Sequence, residues 1–378
     1  MRLLILTHEY PPIGGGGGAA ARDISLGLAK RGFEIKIITA HIDGLPLREI
    51  QDGIEIIRVP SLRRERFRAR LPEMGAFIFA GLWAAIRLMR SWRPDLIHAH
   101  FAVPAGALAW MLSRLYRLPY VLTAHLGDVP GGVPEKTGKW FRFILPFTHP
   151  IWRAAAKVVA VSNFTRGLAV RHYTRPIEVI PNGVDLTPLR PHPIKVQEPM
   201  RIVFAGRFVE QKNPLQLVRV LGRLKDLHWQ CAMLGDGPLF DAVRTEIAHL
   251  QIQDRFHLPG WVTPETVLDE FRRADILFMP SRSEGLPVVG VQALACGLAI
   301  VAGQVGGFVD LVEPGANGYL HESDDADGMA ASLRALLSSA AELNRARVHS
   351  LQLAQTFDIQ RVVSAYEHLF LNEVFNEK

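Results

Sequence analysis

The residues of this chain best suited to chemistry are one acid, Glu284, and two cations, Arg207 and Lys212. Glu284 lies in residues 281–302, SRSEGLPVVGVQALACGLAIVA, in a turn rich in Ser, Gly and Pro. An apolar run, DILFM at 275–279, precedes that turn and a helix pattern follows it. An acid in the turn after a buried strand stands where open α/β sheets collect ligand contacts. Gln292 comes eight residues later on the helix-patterned stretch. Arg207 and Lys212 flank the turn GRFVEQKN, which follows the apolar run RIVFA. Arg grips phosphate oxygens in bidentate fashion and Lys adds a compact charge. The two therefore suit a diphosphate that gathers charge as it leaves. A single Arg or Lys is usually a solvated surface cation; the pairing at a strand end argues for a ligand. LGDGP at 234–238 and VGG at 305–307 are turns where backbone can approach a ligand closely, or plain connectors.

The first half carries a different set. Five glycines, Gly14 to Gly18, follow the apolar run RLLILT and open a helical pattern. Such a loop lets backbone N–H groups and the helix dipole face an anion, most often phosphate, although glycine runs also form plain flexible loops. His8, His100 and His125 each stand at the end of a strand-like run. A lone His in that position is more often a satisfied structural residue. His125 is followed by LGD, whose Asp128 could orient an acceptor hydroxyl or the ring. His98 is ambiguous, whereas His100 ends its strand and is expected to face a ligand.

The elements that must position these residues are strands alternating with helices. Strand-like runs fall at 2–7, 33–39, 54–59, 95–99, 120–124, 157–161 and 177–180. A second series begins at 200, with strands at 200–205, 230–234, 256–258 and 275–279 separated by helical stretches. Such alternation predicts an α/β fold with a mostly parallel sheet covered on both faces. Five prolines in residues 181–200 mark a linker. The expected organisation is a first domain over 1–182, a linker over 183–199 and a second domain over 200–357. A C-terminal helix over 358–378 is expected to pack back on the first domain.

With 378 residues the chain suits two domains of about 150 residues each. Its two cysteines, Cys231 and Cys296, argue against a disulfide scaffold or zinc cluster and fit a reducing, cytoplasmic setting. Residues 1–182 hold 25 Lys and Arg against 13 Asp and Glu, and the remainder 18 against 24, in keeping with the overall +6. The basic half points to an anionic surface or substrate, or to a face kept basic for solubility. In residues 62–90, five arginines between Arg63 and Arg70 are followed by an apolar stretch with Phe77, Phe79, Leu82 and Trp83, and residues 140–153 repeat that mixture. Both suit an anionic bilayer interface, where each cation adds ~1 kcal/mol, or core helices beside a solvated basic face. The apolar stretch 74–86 reads as too short to span a bilayer, and the apolar start at 3–6 as too short for a signal peptide. The expectation is a soluble or peripheral protein.

Read in order, EYPPIGGGGG, TAHLGD, VSNFTRG, PNGVD, AGRFVEQKN, LGDGP, SEGLPVVGVQALACGLAIVA, QVGG and GANGYL resemble one family nearly end to end. It is the retaining, nucleotide-sugar-dependent glycosyltransferases of GT-B architecture, of the family 4 (group 1) type. The resemblance implies two Rossmann-like doubly wound domains facing each other across a cleft, the first binding acceptor and the second the nucleotide-sugar donor. It implies catalytic roles for His125, touching the transferred sugar; for Arg207 and Lys212, neutralising the diphosphate; and for Glu284, holding sugar hydroxyls. The glycine loop, Gly14 to Gly18, would lie against the donor diphosphate or the acceptor, and donor contacts are implied for Gly15, Gly16, Gly206, Gly237, Gly260, Gly285, Leu286, Pro287 and Val288. The family's usual second glutamate, bonding the ribose, is here Gln292. His100 and Asp128 are acceptor-side candidates.

The implied reaction moves a hexose-type sugar from a UDP- or GDP-linked donor to an acceptor hydroxyl. It proceeds with retention and without metal, the leaving phosphate taking the acceptor's proton. In keeping with that, the Asp-x-Asp pair Asp325 and Asp327 sits in an acidic run that opens a helix, and no glycosidase-like carboxylate pair is evident. The donor is a co-substrate and no resident cofactor is expected. Expected partners are an acceptor glycan, sugar phosphate or lipid-linked sugar and an anionic membrane surface, with no nucleic acid. The setting would be cell-surface polysaccharide or glycolipid synthesis. The competing readings are a nucleotide-sugar epimerase or phosphorylase of the same architecture, and a non-catalytic nucleotide-binding member.

Overall fold

The structure, a computed structural model, describes residues 1–66, 69–187, 189 and 198–375, with the backbone alone for 134–143 and 374–375. The chain divides into two compact units, Met1–Gly183 with Ile359–Lys378, and Val184–Asp358. Most of the expected linker lies outside the described residues.

The first unit is built on a sheet of β1 (Arg2–Leu6), β2 (Glu34–Ala40), β3 (Arg48–Gln51), β4 (Ile54–Val59), β5 (Leu96–His100), β6 (Tyr120–Ala124), β7 (Lys157–Ala160) and β8 (Ile177–Val179). Their order in space is β3-β4-β2-β1-β5-β6-β7-β8. Every pair is parallel except β3 with β4. Parallel strands covered on both faces tend to be apolar, as β1 is after Arg2 and β6 is apart from the buried Thr123. In β5 the sequence LIHAH departs from that rule, burying His98 and His100 completely. The order turns around between β1 and β5, the place where open α/β sheets bind ligands. β3 has no counterpart among the expected strands. Its short, exposed REIQ lacks an apolar run, although the Asp52–Gly53 turn behind it, with both residues at positive φ, is a hairpin signal.

The C-terminal helix Ile359–Phe375 packs on the first helix, Gly16–Lys30. At Gly27 a Cβ would stand 2.3 Å from a Val363 methyl. Its Val362, Val363, Tyr366 and Phe370 complete one core layer with Leu3, Ile5, Ile24 and Leu28. On the other face of the sheet, the helix Leu71–Met89 buries Phe77, Ala85 and Leu88 beside Leu108 and Leu112. This helix corrects the expectation that its apolar stretch is too short. At 19 residues it is, by length and composition, long and apolar enough to cross a membrane, because the helix runs past the charged residues that bounded the stretch in sequence. Phe79 and Trp83, one turn apart on it, are 75% and 69% exposed.

The second unit is a parallel sheet of β9 (Met200–Ala205), β10 (Trp229–Leu234), β11 (Phe256–Gly260), β12 (Ile276–Met279), β13 (Ala299–Gly303) and β14 (Gly318–His321). The order is β11-β10-β9-β12-β13-β14, so the turning point falls between β9 and β12. A buried ion pair, Asp275 with Arg347, ties the helix Ala340–Ala354 to the start of β12. Arg347 Nε also donates to the Gly297 carbonyl at 2.7 Å, and Asp275 accepts from the Arg201 amide at 2.8 Å.

Candidate active site

In the second unit the loops after β9 and β12 flank the turning point of the sheet, and they carry the residues singled out in sequence. Lys212 Nζ lies 2.5 Å from Glu284 Oε1, so the expected phosphate cation and sugar acid form one ion pair. Glu284 is buried, and its Oε2 holds no hydrogen bond among the described residues. The two loops are laced together by Gln211 Nε2 donating to Ser283 O at 3.0 Å and the Arg282 amide donating to Gln211 O at 2.8 Å. Arg207 lies half-buried on the first loop.

Two glycines fix these loops by close approach. At Gly306 (φ +55) a Cβ would fall 1.5 Å from Glu284 O, and at Gly235 (φ +136) one would fall 2.0 Å from Gly206 O. The VGG and LGDGP turns therefore serve as backbone supports for Glu284 and Gly206. Gly237 has the same function, since its free side faces Phe208 backbone. Gly260 ends β11, with open space where a Cβ would stand. Leu286 is buried, and Gly285 and Pro287 lead into the helix Val288–Ala295, whose first turn holds no acid and whose start has no side-chain cap. A helix start of that kind favours an anion. Gln292 sits half-buried on the same helix, its amide without a hydrogen bond among the described residues.

In the first unit His125 follows β6 and stacks on Phe101 at 4.2 Å. It is buried, and its Nε2 has no hydrogen-bond partner among the described residues. Burial pulls its pKa down to about 4, against the opposing charge of Glu9, so the ring is neutral near pH 7 and offers hydrogen bonds without charge. Asp128 is buried, and its two oxygens accept from the Ala102 and His125 amides, both at 2.8 Å, so it clamps two loops and holds the backbone of His125. Burial, opposed by those amides, raises its pKa to about 7.

His100 corrects a second expectation. It is wholly buried, 4.2 Å from His98 and 5.8 Å from His125 between ring centres, and reaches no surface. His98 and His100 share one face of β5 by the strand's period of two. That face is covered by the C-terminal helix, whose Tyr366 and Phe370 rings lie 5.1 and 5.0 Å from His98. The amide of Gly15, expected against the donor, is held by Glu9 Oε2 at 3.1 Å, and Gly16 begins the first helix. Glu9 itself escaped sequence reading. Its only signal is an acid in HEYPP, just ahead of the glycine run. Asp325 caps the helix Ala326–Ser338 by accepting from the Gly328 amide at 2.9 Å, and Asp327 pairs with Arg223.

Two doubly wound sheets, each with its site residues at the strand ends, define a GT-B protein. Residues 14–188 match the family described as Glycosyltransferase Family 4, and residues 188–349 match Glycosyl transferases group 1. The chain belongs to the group 1 glycosyltransferases. It is 27% identical over 405 residues to a glycogen synthase of Mycobacterium tuberculosis, covering 98% of this chain and 94% of the relative. In fold it is similar to a sucrose-phosphate synthase of Thermosynechococcus elongatus, at a TM-score of 0.88 and 19% identity, over 100% of both chains. It is likewise similar to HepE of Anabaena in complex with UDP and glucose, at a TM-score of 0.77 and 19% identity, over 98% of this chain and 99% of that one.

Proposed function

We propose that the protein transfers a hexose-type sugar from a nucleoside diphosphate donor to an acceptor hydroxyl, with retention at the anomeric carbon and without a divalent metal. The observation that carries this reading is the Lys212–Glu284 pair at the turning point of the second sheet. Lysine has three donors, so Lys212 can keep Glu284 and still offer protons to a phosphate oxygen. Arg207 adds the second cation, and the uncapped start of Val288–Ala295 adds backbone N–H groups. Together they supply the fixed positive charge that a leaving diphosphate requires. Glu284 Oε2 remains for a sugar hydroxyl, and Gly260 marks where a base would lie. Of the UDP- and GDP-linked hexose donors, the Anabaena protein's complex with UDP and glucose favours the first.

The test is a thermal-shift panel of nucleoside diphosphates and nucleotide sugars, with and without a chelator, followed by NMR of the product's anomeric configuration. A ligand that binds the native state raises its midpoint, by about 2.7 kcal/mol of stability at a hundred times Kd. One nucleotide is expected to stand out, equally in chelator. The reading is overturned if none does, or if Arg207→Ala and Glu284→Ala leave transfer unchanged.

The acceptor reading is a glycan, sugar phosphate or lipid-linked sugar of cell-surface polysaccharide or glycolipid synthesis, met by a first unit resting on the inner face of an anionic membrane. Support comes from the exposed Phe79 and Trp83 on Leu71–Met89, with exposed Arg87 and Arg90 further along the helix. The one acid of that helix, Glu73, is turned inward to cap the Arg70 amide.

A further inference from the structure

We propose that Glu9 is a specificity residue: a carboxylate built into the glycine loop that receives sugar hydroxyls and turns anions away from that loop. The proposal rests on the glycosyltransferase reading and assigns the loop a ligand class, a neutral hydroxyl-bearing sugar face. The first observation is what the loop amides do. Gly14 N–H donates to Arg66 O at 2.8 Å and Gly15 N–H to Glu9 Oε2 at 3.1 Å. The second is steric. A Cβ at Gly14 would fall 2.5 Å from Glu9 Cβ and 2.6 Å from its Oε2, and one at Gly18 would fall 3.0 Å from Glu9 O. Two glycines of the run are therefore shaped around Glu9. The positive end of the helix Gly16–Lys30, which has neither an acid in its first turn nor a side-chain cap from Gly15, meets this carboxylate.

Glu9 is not used up by these contacts. Its Oε1 lies 3.9 Å from both His8 Nε2 and Arg63 Nη2, beyond hydrogen-bond length. Arg63 gives its guanidinium to three backbone carbonyls, His8 at 2.9 Å and Glu65 and Arg66 at 3.0 Å, and so anchors the segment beneath the loop. Glu9 stays 20% exposed. An independent observation points to a ligand here. The His125 ring packs on the same first turn, its Cε1 and Nδ1 3.1 and 3.2 Å from where a Gly17 Cβ would stand. Its Nε2, in a residue only 8% exposed, has no hydrogen-bond partner among the described residues. A hydroxyl of the acceptor can donate to Glu9 Oε1 while the transferred sugar meets the neutral His125 beside it. A phosphate in that position would face a fixed negative charge already holding the helix end.

The test compares the full-length protein with Glu9→Gln, which keeps an oxygen for the Gly15 amide and removes the charge, and with Glu9→Asp, which keeps the charge. Inorganic phosphate is titrated by calorimetry, and KM is measured for donor and acceptor separately. Glu9→Gln is expected to bind phosphate about fivefold more tightly than wild type, the size of one charge at a helix end. Its acceptor KM should rise about tenfold with donor KM within about twofold, as loss of a charge-assisted hydrogen bond implies. Glu9→Asp should bind phosphate as weakly as wild type. The proposal is overturned if Glu9→Gln changes neither phosphate affinity nor acceptor KM, or if Glu9→Asp gains phosphate binding, since charge is then not the cause. Calorimetry needs no turnover. A wild type that transfers nothing would therefore refute the functional reading and leave this one still decided by phosphate.

Discussion

Gln292 stands on the helix that follows Glu284, where the family resemblance implies a glutamate whose full charge would meet two ribose hydroxyls. An amide offers one neutral acceptor and one donor group. Charge-assisted hydrogen bonds are roughly twice as strong as neutral ones. Gln292→Glu is expected to tighten nucleoside diphosphate binding several-fold, about 1 kcal/mol, with kcat little changed. Calorimetry with the donor's diphosphate checks it, and a loss of affinity would show the amide to be matched to this donor. The histidines make a second prediction. Burial lowers His8 and His125 to about 4 and His98 to about 3, and lowers His100 as well. Each binds a proton in the unfolded chain below its ordinary 6.5 but not in the folded one. Their stabilising effect is therefore present above 6.5 and lost as pH falls toward 4. Asp128, raised to about 7, acts oppositely, its contribution fading as pH rises through 7. Asp275, also raised by burial, acts with Asp128, and the four histidines against these two carboxyls leave a net loss on acidification. Urea unfolding at pH 7 and pH 5 should show a clearly lower midpoint at pH 5, and equal midpoints would contradict the buried, neutral state.

The helix Leu71–Met89 is half a core element and half a surface, with Phe77, Ala85 and Leu88 inward and Phe79 and Trp83 outward. If the outward side rests on lipid, Phe79→Ala with Trp83→Ala should reduce flotation with anionic liposomes several-fold and leave the thermal midpoint nearly unchanged. Equal recovery of wild type with neutral and anionic vesicles would refute the membrane reading. Elements of this kind show what the sequence could and could not disclose. The buried strands were legible because β1, β6, β9 and β12 are apolar on both faces, and the loops after β9 and β12 were legible through their charged residues. The short edge strand β3 was not, having no apolar run. The burial of His100 was not, because the face of β5 that it shares with His98 is covered at His98 by Tyr366 and Phe370, more than 260 residues further along the chain. Asp128 looked chemical for a similar reason, since sequence does not show that the Ala102 amide waits on another loop to receive it.

At the scale of the molecule, charge and chain path are both uneven. The basic residues concentrate in the first 182 positions, and the first unit is also the one that owns both ends of the described chain. Its core layer is incomplete without Val362, Val363, Tyr366 and Phe370. Ending the chain at 358 is expected to expose that layer and destabilise the first unit by several kcal/mol, each large buried side chain being worth ~1.5–3 kcal/mol. The second unit, whose residues 184–358 are all retained, should keep its fold. Limited proteolysis of the truncated chain should then leave a resistant fragment beginning near 184, and a fully resistant first unit would contradict the packing described. The same arrangement sets an order for biosynthesis. Domains generally fold as they leave the ribosome, the N-terminal one first. Here the unit made first must wait for its last helix to be made, while the unit made second has all its residues as soon as 358 has emerged. The second unit would be the first to mature, and the glycine loop, His125 and Glu9 would take their final places only after the helix Ile359–Phe375 has emerged.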